Sequence, residues 1–354
     1  MHDDLRQGEA PFSGRSVCIT GAGGYIGAAL AGALALQIPA SLILLDACEQ
    51  NLFEIQRKIQ ALAAPETTIH VVLGNVGDAG LLDCLFTQFR PEFILHAAAF
   101  KHVALLERNP FAAIQNNALA TYTLLQAALR WGISSVLVIS TDKAVNPHSV
   151  MGASKRLAEL FAVSLSCDPS RMSAVRLGNV FGSTGSVVPL LIDQLKTDQP
   201  LTITDAEAAR YFLSPEQAVR AILDAATARC DGKILLPKLG SPVRIVELAE
   251  SLAHSIARCN RQPPMLFTGL HPGEKLIEEV VGRYEKEMGN ICETLQVIET
   301  TKLSPGACEE IVKDLSDCVR QCDVNALVRV LCSAIPEYTP SRLLSEGMSQ
   351  TSRQ

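Results

Sequence analysis

An acid and an amine stand side by side at the end of an apolar run. Ser135–Thr141 is followed by Asp142 and Lys143, then by Asn146-Pro147, which turns the chain into a helical pattern bearing Met151-Gly152-Ala153-Ser154-Lys155. A carboxyl group and an amine placed together can deliver one proton and remove another. On an ordinary surface loop such a pair is a solvated feature, but at the carboxyl end of a sheet strand it lies where ligands bind. A second chemical signal precedes it. Val17–Thr20 leads into Gly21-Ala22-Gly23-Gly24-Tyr25-Ile26-Gly27, which opens another helical pattern. In such a turn Gly21 permits the bend, Gly24 lets the backbone approach a pyrophosphate, and Gly27 lets helix and strand pack closely, with the helix N-terminus facing the phosphates. Gly23, Tyr25 and Ile26 complete this candidate cofactor loop. Asp46 ends the next apolar run, placed either to accept adenosine ribose hydroxyls or to cap the helix that follows. No Arg follows it closely to receive a 2′-phosphate, which favours NAD over NADP. Asn75 and Val76 follow the third run and are expected beside adenine. His96-Ala97-Ala98-Ala99 closes the fourth with side chains small enough for backbone to lie against a cofactor.

These residues need elements to hold them. Six short runs, Ser16–Thr20, Leu42–Asp46, Thr68–Leu73, Phe93–Ala97, Ser135–Thr141 and Ser173–Leu177, alternate with longer helical patterns such as Tyr25–Leu36 and Phe111–Trp131. The alternation predicts an α/β fold, a Rossmann-type doubly wound parallel sheet with a smaller C-terminal substrate lobe. Residues 1–13 are polar and aperiodic and read as a flexible lead-in, and residues 14–177 as the NAD-binding domain. Residues 178–300, punctuated by Gly and Pro, read as the substrate lobe, with some elements returning to the first domain. Residues 301–354 read as a helical C-terminal extension, its pattern running from about Pro305 to Ala334.

Composition narrows the function classes. The 354 residues are 48% hydrophobic, 19% charged and 5% aromatic, which excludes disordered, collagen-like and coiled-coil chains. A net charge of -6 without a block of like charges offers no phosphate-neutralising surface, so no nucleic-acid partner is expected. The 11 cysteines are odd in number, lack CxxC pairs and follow no secretory segment, which fits a reducing cytoplasm. The apolar stretch from Ala28 to Leu45 is broken at Gln37, Pro39 and Ser41 before ~20 apolar residues accumulate, so no membrane span is expected. Cys318 and Cys322 lie one helical turn apart without a matching pair and read as thiols on a partly buried helix face, not metal ligands.

Together these segments resemble the extended short-chain dehydrogenase/reductase superfamily, and more narrowly its polysaccharide-biosynthesis group of UDP-N-acetylglucosamine 4,6-dehydratases. The resemblance rests on Thr20-Gly21-Ala22-Gly23-Gly24, Leu44-Leu45-Asp46, the run from His96 to Val103, Ser140-Thr141-Asp142-Lys143-Ala144-Val145-Asn146-Pro147 and the run from Val150 to Arg156. It continues through the run from Arg176 to Ser183, Arg210-Tyr211-Phe212, the run from Gly269 to Lys275 and Pro336-Glu337-Tyr338, spanning roughly residues 14–340.

What the resemblance implies is a redox-neutral reaction on a UDP-sugar. Hydride passes from C4 to NAD, the ketone so formed acidifies the C5 hydrogen, water is lost across C5 and C6, and hydride returns to C6. Lys143 would take the C5 proton and Asp142 would protonate the departing C6 hydroxyl. A lysine serves as base only if burial or nearby positive charge lowers its pKa, and Lys155, with the nicotinamide, is expected to supply that charge. Lys155 would also hold the nicotinamide ribose. The superfamily's YxxxK tyrosine is Met151 here. Methionine cannot ionise, so the C4 hydroxyl is expected to lose its proton to Thr141 within a relay or to Asp142. By the same resemblance Lys101 and His102 face the sugar, while Asn179 and Ser186, Val187 and Pro189 orient the nucleotide. Arg210 clasps the diphosphate, a task suited to a planar guanidinium, and Glu274 holds the uridine ribose. Asn75 stands where Asp is frequent, and His271 where Arg is frequent. Two other readings stay open: a UDP-hexose 4-epimerase, which needs no C5 base, and an inactive NAD-binding module, for which Met151 is the only argument. A homo-oligomer pairing through the helices near 102–131 and 148–166 completes the expectation.

Overall fold

The structure, a computed structural model, describes residues 10–256 and 264–345; residues 1–9 of the expected lead-in and 346–354 of the expected extension lie outside the described residues. Six parallel strands form the centre: β1 Ser16–Thr20, β2 Ser41–Asp46, β3 Thr68–Leu73, β4 Phe93–His96, β5 Ser135–Thr141 and β6 Arg171–Leu177. They pair in the order β6-β5-β4-β1-β2-β3. Strand Ile234–Pro237 adds in parallel to β6, and Leu295–Glu299 and Lys286–Asn290 follow antiparallel at that edge. This is a Rossmann-type doubly wound sheet. Its strands read as unbroken apolar runs because helices cover both faces. Alternation survives only as a division between two cores: Ile43, Leu45, Ile94, Val136 and Val138 join one apolar cluster, while Leu42, Leu44, Leu95 and Leu137 join the other. Strand order reverses between β1 and β4, whose ends Thr20 and His96 are register partners. The crevice above that reversal is where such sheets bind ligands.

Several local features depart from the sequence reading. Phe12, assigned to the flexible lead-in, is fully buried and stacks edge-on against Phe93. The continuous helix expected over 111–131 is three pieces, helix Pro110–Ala113, a π-helical segment Ile114–Leu119 and helix Ala120–Arg130. The C-terminal helical pattern is two helices, Pro305–Gln321 and Val324–Ala334, separated at Cys322, which adopts a left-handed conformation, and at Asp323, whose carboxylate caps the second helix by accepting from the Ala326 N–H. Cys318 is buried and Cys322 exposed, and among the described residues no group of three or more His, Cys, Asp or Glu is placed to hold a metal. Between 178 and 270, short strand pairs 179–180 with 212–213, 209–210 with 243–244 and 201–203 with 265–267 surround a separate apolar cluster of Leu191, Leu201, Ile203, Ala208, Ile245 and Ala249.

Of the pairing surface expected on the helices near 102–131 and 148–166, the second part is covered by the chain itself, while Leu105 in the first is exposed. Every residue of helix Val150–Leu165 except Ser164 is buried within this one chain, and Cys308, Leu315, Cys318, Leu327 and Leu331 of the two C-terminal helices belong to the same apolar cluster as Leu157, Leu160 and Phe161. Pairing through this face would require the chain's own C-terminal helices to leave.

One buried charge network fixes helix Val150–Leu165 to β6. Arg176 donates to both oxygens of Glu159 (2.8 and 2.7 Å) and both of Glu285 (2.6 Å each), while Arg156 donates to Glu159, Glu285, Thr300 and Glu337. Burial alone would raise the Glu285 carboxyl, but Arg176 and Arg156 pull it down from 4.5 to about 2. A depressed carboxyl contributes stability that is complete above its unfolded value and fades as pH falls from 4.5 towards 2. Glu285→Gln is therefore expected to cost about 3 kcal/mol at neutral pH by leaving buried guanidinium charge uncompensated, and to flatten the acid limb of stability. Urea melts of both proteins between pH 7 and pH 3 check this; parallel acid limbs would contradict it.

Candidate active site

The glycine turn is shaped by contacts that exclude side chains. Gly21 has φ +67°, and a Cβ there would lie 2.7 Å from the Ala98 Cα and backbone N. At Gly27 a Cβ would overlap the Gly21 carbonyl oxygen and come within 2.8 Å of Ala22 Cα. The backbone of Ala97 and Ala98 thus lies directly on the turn, with the Ala97 N–H donating to Thr20 O at 3.0 Å. Gly24 begins helix Tyr25–Ala35 without any side-chain cap, which leaves N–H groups of the first turn available to an anion. Asp46 does not cap the next helix, whose N-cap is Cys48. Its two oxygens accept from Gly23 N–H and Cys48 N–H, each at 2.8 Å, so the acid sits against the turn at the end of β2. Tyr25 reaches the other way, its hydroxyl donating to Phe181 O at 2.7 Å, and so ties the turn to the segment after β6. Asn75 accepts from the Gly77 N–H at 2.7 Å and Val76 is buried in the core. Both shape the turn after β3.

His96 ends β4 fully buried. Its Nε2 meets Thr121 Oγ1 (2.8 Å), whose own hydrogen goes to Asn117 O (2.6 Å), so Nε2 carries the proton and Nδ1 accepts from Thr20 Oγ1 (2.7 Å). Burial, helped by Lys155, lowers His96 to about 3, so the ring is neutral. The π-helical segment supplies Asn117, which brackets Phe100 by accepting from its N–H and donating to its carbonyl, and donates to Ser154. A single-turn π segment at a ligand site is a recurrent device.

At the end of β5 the predicted acid and amine meet. Lys143 Nζ donates to Asp142 Oδ1 (2.9 Å) and Asn179 Oδ1 (3.0 Å), and Thr141 Oγ1 donates to the same Asp142 oxygen (2.9 Å). Glu278, which the sequence reading passed over, brings Oε1 to 3.7 Å from Lys143 Nζ and 3.8 Å from Arg210 Nε. Arg210 also donates to the Ala209 and Leu276 carbonyls, and Lys275 to Val145 O (2.7 Å). The expected lowering of Lys143 is not found. Burial pushes it down, but Asp142 and Glu278 more than offset that and hold the ammonium above the ordinary lysine value. Lys155 behaves as Lys143 was expected to: burial lowers it to about 8.

The other expected residues are dispersed. Met151 is buried in the main apolar cluster, with its carbonyl accepting from Ser154 Oγ. His102 begins a short helix, and a Cβ at Gly185 would stand 2.5 Å from its ring, so the loop after β4 touches the turn before Ser186. Lys101 is exposed on that loop. Ser186 precedes helix Val187–Lys196, Val187 packs on the small-lobe cluster, and Pro189 is half-buried. Glu274 closes its own turn, accepting from the His271 N–H (3.2 Å), and no contact joins it to Asp142 or Lys143.

Five buried polar atoms around these elements make no hydrogen bond: Ser140 Oγ, Asp142 Oδ2, Lys155 Nζ, Ser186 Oγ and Glu278 Oε2. Buried polar atoms are satisfied as a rule, and of these five Asp142 Oδ2 and Glu278 Oε2 belong to side chains that face Lys143. Residues 17–300 match the polysaccharide biosynthesis protein family. The chain belongs to that family. Among its relatives, the capsular polysaccharide biosynthesis protein CapD of Staphylococcus aureus is 37% identical over 276 residues, 77% of this chain and 46% of that protein. The chain thus spans about half the length of such curated relatives. A UDP-N-acetylglucosamine 4,6-dehydratase (inverting) of Campylobacter jejuni is 30% identical across 76% of this chain and 78% of its own. A UDP-glucose 4-epimerase of Rickettsia rickettsii is 32% identical across 77% and 80%. Among solved structures, Pen from Bacillus thuringiensis superposes with a TM-score of 0.73 at 25% identity, covering 82% of this chain and 87% of that one. A dTDP-glucose 4,6-dehydratase from Streptomyces venezuelae, solved with NAD and TYD bound, superposes at 0.63 with 24% identity, covering 75% and 88%. Among the described residues of this family member no helix is long and apolar enough to cross a membrane.

Proposed function

We propose that this polysaccharide biosynthesis family member is an NAD-dependent nucleotide-sugar 4,6-dehydratase acting on UDP-N-acetylglucosamine. The observation that carries the reading is the Asp142–Lys143 pair, joined at the carboxyl end of β5 with an unpartnered Asp142 oxygen beside it. The residues present fit the cofactor: a glycine cradle that any Cβ would fill, an uncapped helix N-terminus, Asp46 against the turn and the unpartnered ammonium of Lys155. Bound there, NAD would accept hydride from C4 and return it to C6.

The chain's own residues handle the protons. Thr141 already donates to Asp142, so the C4 hydroxyl proton has a route through Thr141 to Asp142 that needs no tyrosine at Met151. Asp142 then passes that proton to the C6 oxygen as it leaves as water, while Lys143 takes the C5 proton and later returns it. Arg210 meets the diphosphate, and Ser186 and Asn179 orient the nucleotide. Lys101 and His102 face the sugar and Glu274 the uridine ribose. The reading keeps a cytoplasmic location, as the cysteine pattern suggests, and assembly as a homo-oligomer by a face other than helix Val150–Leu165.

The epimerase reading has its own support in relatives of that name, 31–38% identical. Mass and NMR analysis of products from a panel of UDP- and dTDP-hexoses tests both: a UDP-N-acetylhexosamine lighter by one water supports dehydration, and an isomer of equal mass supports epimerisation. No turnover of any sugar would leave only the inactive module.

A further inference from the structure

Lys143 is charged in this structure, yet the proposed reaction needs it as a base. What holds its proton is visible in the groups facing it. Asp142 lies beside it on the turn after β5, Asn179 opposite on strand 179–180, and Arg210 on strand 209–210. Lys275 and Glu278 come from the segment after Gly273. Of these only Asp142 and Glu278 bear carboxyl groups. Asp142 already accepts from both Thr141 and Lys143. Glu278 is 4% exposed, makes no hydrogen bond through Oε2, and places Oε1 almost equally far from Lys143 Nζ and Arg210 Nε. A carboxylate so enclosed would be costly unless cations face it.

We propose that Glu278 is the positioning residue that keeps the proton on Lys143 in the free protein, its carboxylate shared between Lys143 and Arg210. Burial, and after it Asp142, raise the Glu278 carboxyl above its ordinary value, while Lys143, Arg210 and Lys275 oppose that, so its charge depends on the cations that face it. Glu278 acts through Lys143, whose Nζ its Oε1 faces at 3.7 Å. The inference deepens the dehydratase reading and depends on it for its catalytic meaning alone.

The test reads Lys143 directly, without substrate. Wild-type protein, Glu278→Gln and Glu278→Asp are labelled with trace acetic anhydride across pH 7 to 11, and the rate at Lys143 is followed by peptide mass spectrometry against an exposed lysine. Losing a neighbouring negative charge favours the neutral amine. Glu278→Gln is expected to lower the apparent pKa of Lys143 by about one unit, so that labelling below that pKa quickens roughly tenfold. Glu278→Asp, which keeps the charge one methylene further back, is expected to fall between. Circular dichroism establishes that each variant is folded, and should the glutamine variant not fold, the aspartate variant alone decides through its smaller shift. Lys143 titrating in the folded variants as in wild type would overturn the proposal. Because no sugar is present, the result stands even if the protein proves not to be a dehydratase. Where turnover is measured, the alkaline limb of kcat should move to lower pH in Glu278→Gln and lie between that and wild type in Glu278→Asp.

Discussion

Lys143→Met is expected to lower kcat for dehydration by about a thousandfold while leaving dinucleotide binding unchanged. With Asp142 carrying the C4 proton, the amine is the group the proposed mechanism assigns to the C5 proton, and a positioned general base contributes roughly 10²–10⁴ in rate. Methionine keeps much of the side chain's length, so the ion pair with Asp142 and the contact with Asn179 are lost without opening a large cavity. Asp142 and Glu278 hold Lys143 above its ordinary value, and a base works only after losing its proton. Wild-type activity should therefore climb with pH well into the alkaline range, and that limb should vanish in Lys143→Met. Steady-state rates across pH, with NAD affinity measured by calorimetry, check the prediction; near-normal turnover in the variant would remove Lys143 from the chemistry.

A second large effect is expected at the cofactor turn. In Gly27→Ala the new methyl would overlap the Gly21 carbonyl and press on Ala22 Cα. Both obstacles are backbone, so helix Tyr25–Ala35 must move away from β1 and its N-terminus from the pyrophosphate. Affinity for NAD should fall about a hundredfold or more, near 3 kcal/mol. Gly32 lies in the same helix with nothing within 4 Å of a Cβ, so Gly32→Ala should bind NAD normally and gain up to about 1 kcal/mol in stability. Equal affinity in both variants would mean that the turn does not hold the dinucleotide.

Much of the sheet could be read from the sequence because its signals are local. β1, β3 and β5 have the bounds their apolar runs suggest, and β2 and β4 differ by one residue. β6 begins at Arg171, two residues earlier than its apolar run suggests, because Arg171 and the fully buried Met172 already pair with Ser135 and Val136 of β5. The division of 111–131 into α and π segments gave no periodic signal, as one extra residue in a turn barely alters an apolar pattern. The site divided along the same line. Asp142, Lys143 and the glycine turn are neighbours in sequence and stood out. Glu278 and Asn117 did not: each reaches the site across a long chain separation, and a Glu278-Glu279 pair after Gly273-Glu274-Lys275 or an Asn inside a helical pattern looks like surface. The charge of Lys143 was misjudged too. Lys155 was weighed as the nearby charge, whereas adjacent Asp142 raises Lys143 most and Glu278, distant in sequence, adds to it, so that together they reverse the direction.

The central claim is that a hydride borrowed from C4 and a proton taken from C5 act on one sugar. Incubating the protein with NAD and UDP-N-acetylglucosamine in D2O, and reading the product by mass and NMR, tests it directly. The account predicts a 4-keto-6-deoxy sugar nucleotide that has lost one water and carries deuterium at C5. A C4 isomer of unchanged mass, with hydrogen retained at C5, would contradict it.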